Sequence, residues 1–425
     1  MISAEILEIL RRENTIIFAR LNVQNVIQLM TKMMTPKLRP YQIEAVEKGL
    51  EFFKNGNPKD IPIIVAPTGA GKSIYIGHIA NELKEGVLVL QPSKELLEQN
   101  YAKYRMYGGE AAIYSASMGI KEIGHVTFAT IGSLKSKAAD FQHVKHVIID
   151  ECHLVPPFTG SMFTSFLSNF VGVKILGMTA TPFRLKSYND PFTGERFSQI
   201  NMLNRERPRF FNYMLHVTQI SELYDQQFLA PIKYIEMAWD NGKLTYNSTG
   251  AEFSDESVDR ELKQQRVNEK IPSLIKLSIE KGRKHRVVFV KNVSDAIILA
   301  QRVPHSACIH ASTKKKERET ILRDFKVGRI KTVFNVGVLT IGFDFPALDT
   351  IIIARPTMSL ALYMQMIGRG IRCCEGKTDC AVVDMCGNMQ RFSKFEDIKY
   401  HANLDGKWAV TDGKRILSGV KLSTY

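Results

Sequence analysis

From residue 36 onward the chain alternates between short apolar runs and longer amphipathic stretches. Runs at 63–65, 87–90, 126–128, 147–149 and 174–177, with another near Ile113, read as strands buried on both faces. Between them, 42–53, a stretch ending at Leu83 and 93–106 carry the helical period. A second series follows, with helices at 267–281, 294–302 and 314–325 and strands at 286–290, 307–310, 332–335, 350–354 and 380–384. Strands alternating with helices of this length predict right-handed crossovers onto parallel sheets. The expected fold class is therefore α/β, with two tandem parallel-sheet domains.

Two apolar pieces, 2–10 and 16–30, predict a small N-terminal helical extension over 1–34; a start at Met33 or Met34 is the alternative. The first domain is expected over 35–228 and the second over 229–400, followed by a short tail, 401–425. Residues 184–212 break the rhythm as a basic insertion carrying Arg184, Lys186, Arg196, Arg205, Arg207 and Arg209, and 239–257 reads as a polar connection.

Net charge is +14, which favours a polyanionic partner, most simply nucleic acid. Six cysteines in 425 residues form no disulfide framework, so a reducing cytoplasm is expected. Cys373, Cys374, Cys380 and Cys386 lack the paired spacing of a structural zinc site. No apolar run approaches the roughly 20 residues of a membrane helix, so no membrane partner is expected.

Three stretches carry the chemistry. The first strand runs into Ala66-Pro67-Thr68-Gly69-Ala70-Gly71-Lys72-Ser73 and then a helix. In that context glycines let backbone N–H groups curl round phosphates, the lysine reaches the β- and γ-phosphates, and the serine hydroxyl ligates Mg²⁺. The usual first glycine of such a loop is Ala66 here. A later strand ends in Asp150-Glu151, at the sheet edge where ligands bind: Asp150 can hold the metal and Glu151 can act as general base. In the second series Arg369 and Arg372 are expected three apart on one helical face, able to offset phosphoryl charge. Gly368 and Gly370 beside them imply a close approach.

In order along residues 36–395, these stretches resemble the motifs of the superfamily 2 helicases. The resemblance implies tandem RecA-like domains, ATP and Mg²⁺ as cofactors, and nucleic-acid-dependent ATPase activity. Leu38-Arg39-Pro40-Tyr41-Gln42 is similar to the adenine-reading Q motif, with Gln42 as base contact and Arg39 beside it. Thr68, Gly69, Gly71, Lys72, Ser73 and Asp150 would hold the nucleotide and its metal. Pro92-Ser93-Lys94 and Thr130 to Ser133 resemble motifs Ia and Ib, which implies nucleic-acid contact. His153 of the DEAH-type motif II would link to Thr179 or Thr181 of motif III. Thr340 to Asp344 looks like motif V, placing Thr340 on nucleic acid and Gly342 and Asp344 at the nucleotide; Gln365 to Arg372 looks like motif VI.

Within the superfamily, Leu38-Arg39-Pro40-Tyr41-Gln42, Thr181-Pro182-Phe183-Arg184-Leu185 and Gly376-Lys377-Thr378-Asp379-Cys380 are most similar to the bacterial DNA-repair helicase RadD and its phage relatives, whose cysteine-rich zinc modules have no counterpart in this sequence. The partner expected is single-stranded, forked or branched DNA, RNA being less favoured, with a role in replication, recombination or repair. A non-unwinding ATPase switch is the other alternative. Only 345–364 lies between motifs V and VI, so the insertion 184–212 is the candidate strand-separating wedge.

Overall fold

The computed structural model describes residues 37–421 except 157, 159, 195 and 340–342; the expected extension 1–34, Thr340 and Gly342 lie outside the described residues. The first lobe opens with α1 (Pro40–Asn55), whose proline sits at the first helical position where no N–H is needed. There follow β1 (Ile63–Val65), α2 (Lys72–Leu83), β2 (Val87–Gln91), α3 (Lys94–Arg105), β3 (Ala112–Ser115), β4 (Ile120–Lys121), β5 (Val126–Thr130), β6 (His146–Ile149), α4 (Met162–Leu167) and β7 (Lys174–Thr179). With β10 (Met214–Val217) they form an eight-stranded sheet ordered β10–β1–β7–β6–β2–β5–β3–β4, parallel except at β4. Every residue of β1, β2 and β5 is buried, as a strand covered by helices on both faces requires. Each fully buried Ile, Leu or Val contributes about 1.5–3 kcal/mol.

Between β7 and β10 the chain makes an antiparallel hairpin, β8 (Phe183–Asn189) with β9 (Arg196–Met202). The expected irregular basic insertion is thus largely a regular hairpin beginning one residue earlier. One of its arginines is engaged by the protein: Arg184 pairs with the buried Glu206 at 3.2 Å and donates to the carbonyls of His153 and Val155.

After α5 (Ile220–Asp225) the second lobe comprises β11 (Ile232–Glu236), α6 (Asp255–Gln264), α7 (Val267–Glu280), β12 (Arg286–Val290), α8 (Val293–Arg302), β13 (Ser306–Ile309), α9 (Lys315–Lys326), β14 (Thr332–Asn335), β15 (Thr350–Ala354), α10 (Leu360–Ile367), β16 (Cys380–Asp384) and α11 (Asn388–Phe392). Its sheet is wholly parallel, ordered β11–β16–β15–β12–β14–β13. The expected polar connection gives way to α6 at Asp255, capped by the Ser254 hydroxyl.

Beyond residue 398 the chain forms a second hairpin, β17 (Lys399–Ala402) with β18 (Trp408–Thr411), so the expected tail boundary at 400/401 falls inside a strand. This segment returns to the first lobe. Tyr400 is buried, its hydroxyl donates to Ala180 O at 2.9 Å, and its backbone exchanges two bonds with the Gln219 side chain. Further on, Gly419 N donates to Ile200 O of β9.

Candidate nucleotide site between the lobes

The loop after β1 turns on two glycines with φ of +89° at Gly69 and +87° at Gly71, and α2 begins at Lys72. Side chains would be strained at both positions. Lys72 Nζ lies 2.9 Å from Glu151 Oε1. Glu151 follows β6 with φ +47°, a left-handed conformation a non-glycine residue holds only where its surroundings enforce it. Burial works to lower the Lys72 pKa, but Glu151 and Asp150 outweigh it and hold the ammonium above its ordinary value. Burial likewise works to raise Glu151, but the Lys72 ammonium outweighs it and holds the carboxylate below its ordinary value.

Asp150 is pushed up to about 6 by burial and by the charge of Glu151, against the pull of Lys72 and the Asn100 amide. Asn100 Nδ2 donates to Asp150 Oδ2 at 2.8 Å, and the Glu151 N–H donates to Oδ1. Asn100 has no counterpart in the sequence reading, because only the fold brings α3 against β6. A divalent cation at Asp150 would offset both burial and the neighbouring charge. Among the described residues no cluster of three His, Cys, Asp or Glu could hold a metal alone. One carboxylate and the Ser73 hydroxyl suit Mg²⁺, which takes its remaining ligands from water and phosphates.

His153 Nδ1 is 2.8 Å from Thr179 Oγ1, which accepts from Thr181 N–H at 3.0 Å. The ring also lies 3.4 Å from Glu151 Oε2. Burial pushes the imidazole down to about 4, so it is neutral, and its contact with Glu151 is not an ion pair at neutral pH.

The second lobe supplies the opposite wall. A cleft of about 280 Å³ is lined by Lys72, Ser73, Asp150 and Glu151 on one side and by Asp344, Gln365, Arg369 and Arg372 on the other. Contrary to expectation, the two arginines do not share a helical face: α10 ends at Ile367, and Arg369 to Arg372 form a non-helical turn. The close approach implied by the glycines is real. A Cβ on Gly368 would lie 2.6 Å from Thr68 of the phosphate loop, and one on Gly370 would collide with Cys380 Sγ. Arg369 donates to Phe343 O at 2.8 Å, and Arg372 pairs with Asp344. Burial lowers both guanidinium groups to about 10, partly offset at Arg369 by Glu151.

Gln42 is placed otherwise than a free adenine reader. It is buried, its Nε2 donates to Ala70 O at 2.9 Å, and its Oε1 accepts from Arg39 N, so it braces the phosphate loop and caps α1. Arg39 and Phe228 also line the cleft, the guanidinium 4.1 Å from the ring centroid. Phe228 has no sequence signal.

Among the described residues, the expected nucleic-acid residues Pro92, Ser93, Lys94, Thr130 and Ser133 are not part of the cleft lining. The Ser93 hydroxyl caps α3, and Lys94, just after Pro92, pairs with Glu98 at 3.1 Å. Thr130 is buried, its hydroxyl shared with Ser115 and Ser133, and Ser133 Oγ accepts from Ala116 N–H. Thr130 therefore shapes its turn, because its hydroxyl is already satisfied inside the protein.

Residues 35–184 match the family model described as "Type III restriction enzyme, res subunit", and 269–374 match "Helicase conserved C-terminal domain". The chain belongs to the superfamily 2 helicases. A "51.5 kDa protein" of a Lactococcus phage is 26% identical over 324 residues, covering 74% of this chain and 64% of that one. The "Putative ATP-dependent helicase IRC3" of Saccharomyces cerevisiae is 24% identical over 379 residues, covering 83% and 52%. This superfamily 2 chain thus spans between half and two thirds of those relatives' lengths. A solved fragment of a putative HsdR subunit of a type I restriction enzyme from Vibrio vulnificus shares its fold, with TM-score 0.64 and 19% identity over 86% of this chain and 68% of that one.

Proposed function

We propose that this superfamily 2 chain is an ATP-dependent nucleic-acid motor, acting on single-stranded, forked or branched DNA in replication, recombination or repair. One observation carries the reading: Lys72 and Glu151 of the first lobe face Arg369 and Arg372 of the second across one cleft. A γ-phosphate held by Lys72 would draw the arginines from Phe343 O and Asp344, so hydrolysis and lobe closure become one event. Glu151 would accept the proton of the attacking water, and Asp150 and Ser73 would hold Mg²⁺, whose chemistry is to neutralise phosphate charge. Neutral His153, through Thr179 and Thr181, would pass the state of the site to the hairpin that begins at Phe183. The net charge of +14 supports a polyanionic track gripped through its backbone. The likeness to RadD-type proteins and their phage relatives belongs to the same proposal.

The test is ATPase stimulation by single-stranded DNA, duplex DNA, forked DNA and single-stranded RNA, run beside strand displacement. Stimulation by DNA with displacement of a forked strand is expected. Stronger stimulation by RNA would make it an RNA helicase. Stimulation without displacement would make it a translocase or switch.

A further inference from the structure

The turn Gly370 to Arg372 has left its helix, so its carbonyls need partners from elsewhere. Ile371 O accepts from Ala230 N at 2.7 Å, in the segment joining the lobes. The carbonyls on either side converge on one amine: Lys377 Nζ donates to Gly370 O and to Arg372 O, the latter at 2.9 Å. Its third bond, also 2.9 Å, goes to Pro346 O, two residues after the Asp344 that pairs with Arg372. Gly376, at φ +75°, turns the chain so that Lys377 comes back beneath the loop.

An ammonium has three N–H donors and no acceptor, and here it meets three carbonyls. Among the described residues no carboxylate is within ion-pair distance of Lys377. The charge therefore serves hydrogen bonding to backbone, where a charged donor binds a carbonyl more strongly than a neutral one. Two of the tethered segments carry the two ends of the Arg372–Asp344 pair. A loop that must release Arg372 towards a phosphate, yet return it unchanged, needs its backbone fixed while the side chain moves.

We propose that Lys377 is a positioning residue for Arg372, clamping the backbone of the arginine turn to the segment after Asp344 so that the guanidinium swings without its loop. This rests on the nucleotide-site reading above. Lys377→Met removes all three donors; Lys377→Arg keeps several on a longer arm. With saturating single-stranded DNA, Lys377→Met should lower kcat for ATP hydrolysis by about tenfold or more and shift KM for ATP by less than about threefold. Lys377→Arg should recover most of the lost rate. The deciding variant is the double Lys377→Met/Arg372→Ala. If the lysine acts through Arg372, the double hydrolyses ATP no more slowly than Arg372→Ala alone.

Multiplying losses in the double, a raised KM with kcat unchanged, or a near-normal Lys377→Met would each overturn the proposal. Should Lys377→Met precipitate, Lys377→Gln, with two donors, carries the same cycle. Failure of the underlying site reading shows separately, as normal hydrolysis by Lys72→Ala.

Discussion

Lys72 and Glu151 neutralise each other across 2.9 Å, so removing either leaves the other buried and uncompensated. Lys72→Ala and Glu151→Gln should therefore abolish turnover while differing in nucleotide affinity, Glu151→Gln retaining it. Steady-state ATPase with a fluorescent-nucleotide titration checks this, and turnover by either variant refutes the assignment. His153 has a different signature. Its folded pKa of about 4 lies below the unfolded value of about 6.5, so the unfolded chain takes up its proton first. Its contribution is complete above about pH 6.5 and is lost as pH falls towards 4, on the order of 3 kcal/mol. Asp150, raised to about 6, works in the opposite direction over an overlapping range. Urea unfolding at pH 7 and pH 4.5 should show His153→Gln losing less stability than the parent; equal losses would mean the ring does not bear the cost. The residues around this site divide by kind of signal. Lys72, Asp150 and Arg369 lie in local patterns with a chemical meaning, whereas Asn100, Phe228 and Lys377 owe their roles to neighbours only the fold supplies.

Among the elements, the hairpin β8–β9 is held at its base and carries an exposed aromatic near its tip. Phe183 is buried at the root, Arg184 ties that root to the motif II backbone, and Phe192 at the tip is 96% exposed. An exposed aromatic on a braced support is a surface on which a base can stack, worth about 1–3 kcal/mol. Phe192→Ala should reduce displacement of a forked strand by about tenfold while leaving DNA-stimulated ATPase within about twofold. Parallel loss of both activities would assign the hairpin to the hydrolytic cycle instead. The central strands were legible because burial on both faces leaves an unbroken apolar run. The edge strands β10 and β11 were not: Met214 to Val217 contains a histidine, and Ile232 to Glu236 is partly exposed along its length. The arginine turn misled for a local reason, since Gly368 ends α10 just before the pattern that looked helical.

At the scale of the whole molecule, the +14 charge makes nucleic-acid affinity a function of ionic strength. A plot of log affinity for single-stranded DNA against log salt should fall linearly, by about 0.7 for each phosphate neutralised. A flat line would show that the charge serves solubility alone. The division into two lobes was visible as two alternating series, because each sheet needs its own supply of strands and helices. The return of the C-terminal segment onto the first lobe was not, since Tyr400 and Ala180 are 220 residues apart and nothing local marks either as the other's partner.

That return has a consequence for biosynthesis. At about 5–20 residues per second, the ribosome needs roughly 10–40 s after Ala180 to deliver Tyr400. Through that interval the nascent first lobe can complete its sheet but not the seat that Tyr400 fills beside Phe183 and motif III. The surface around Ala180 and Phe183 is therefore completed by Tyr400 only after the strands of the second lobe have been synthesised.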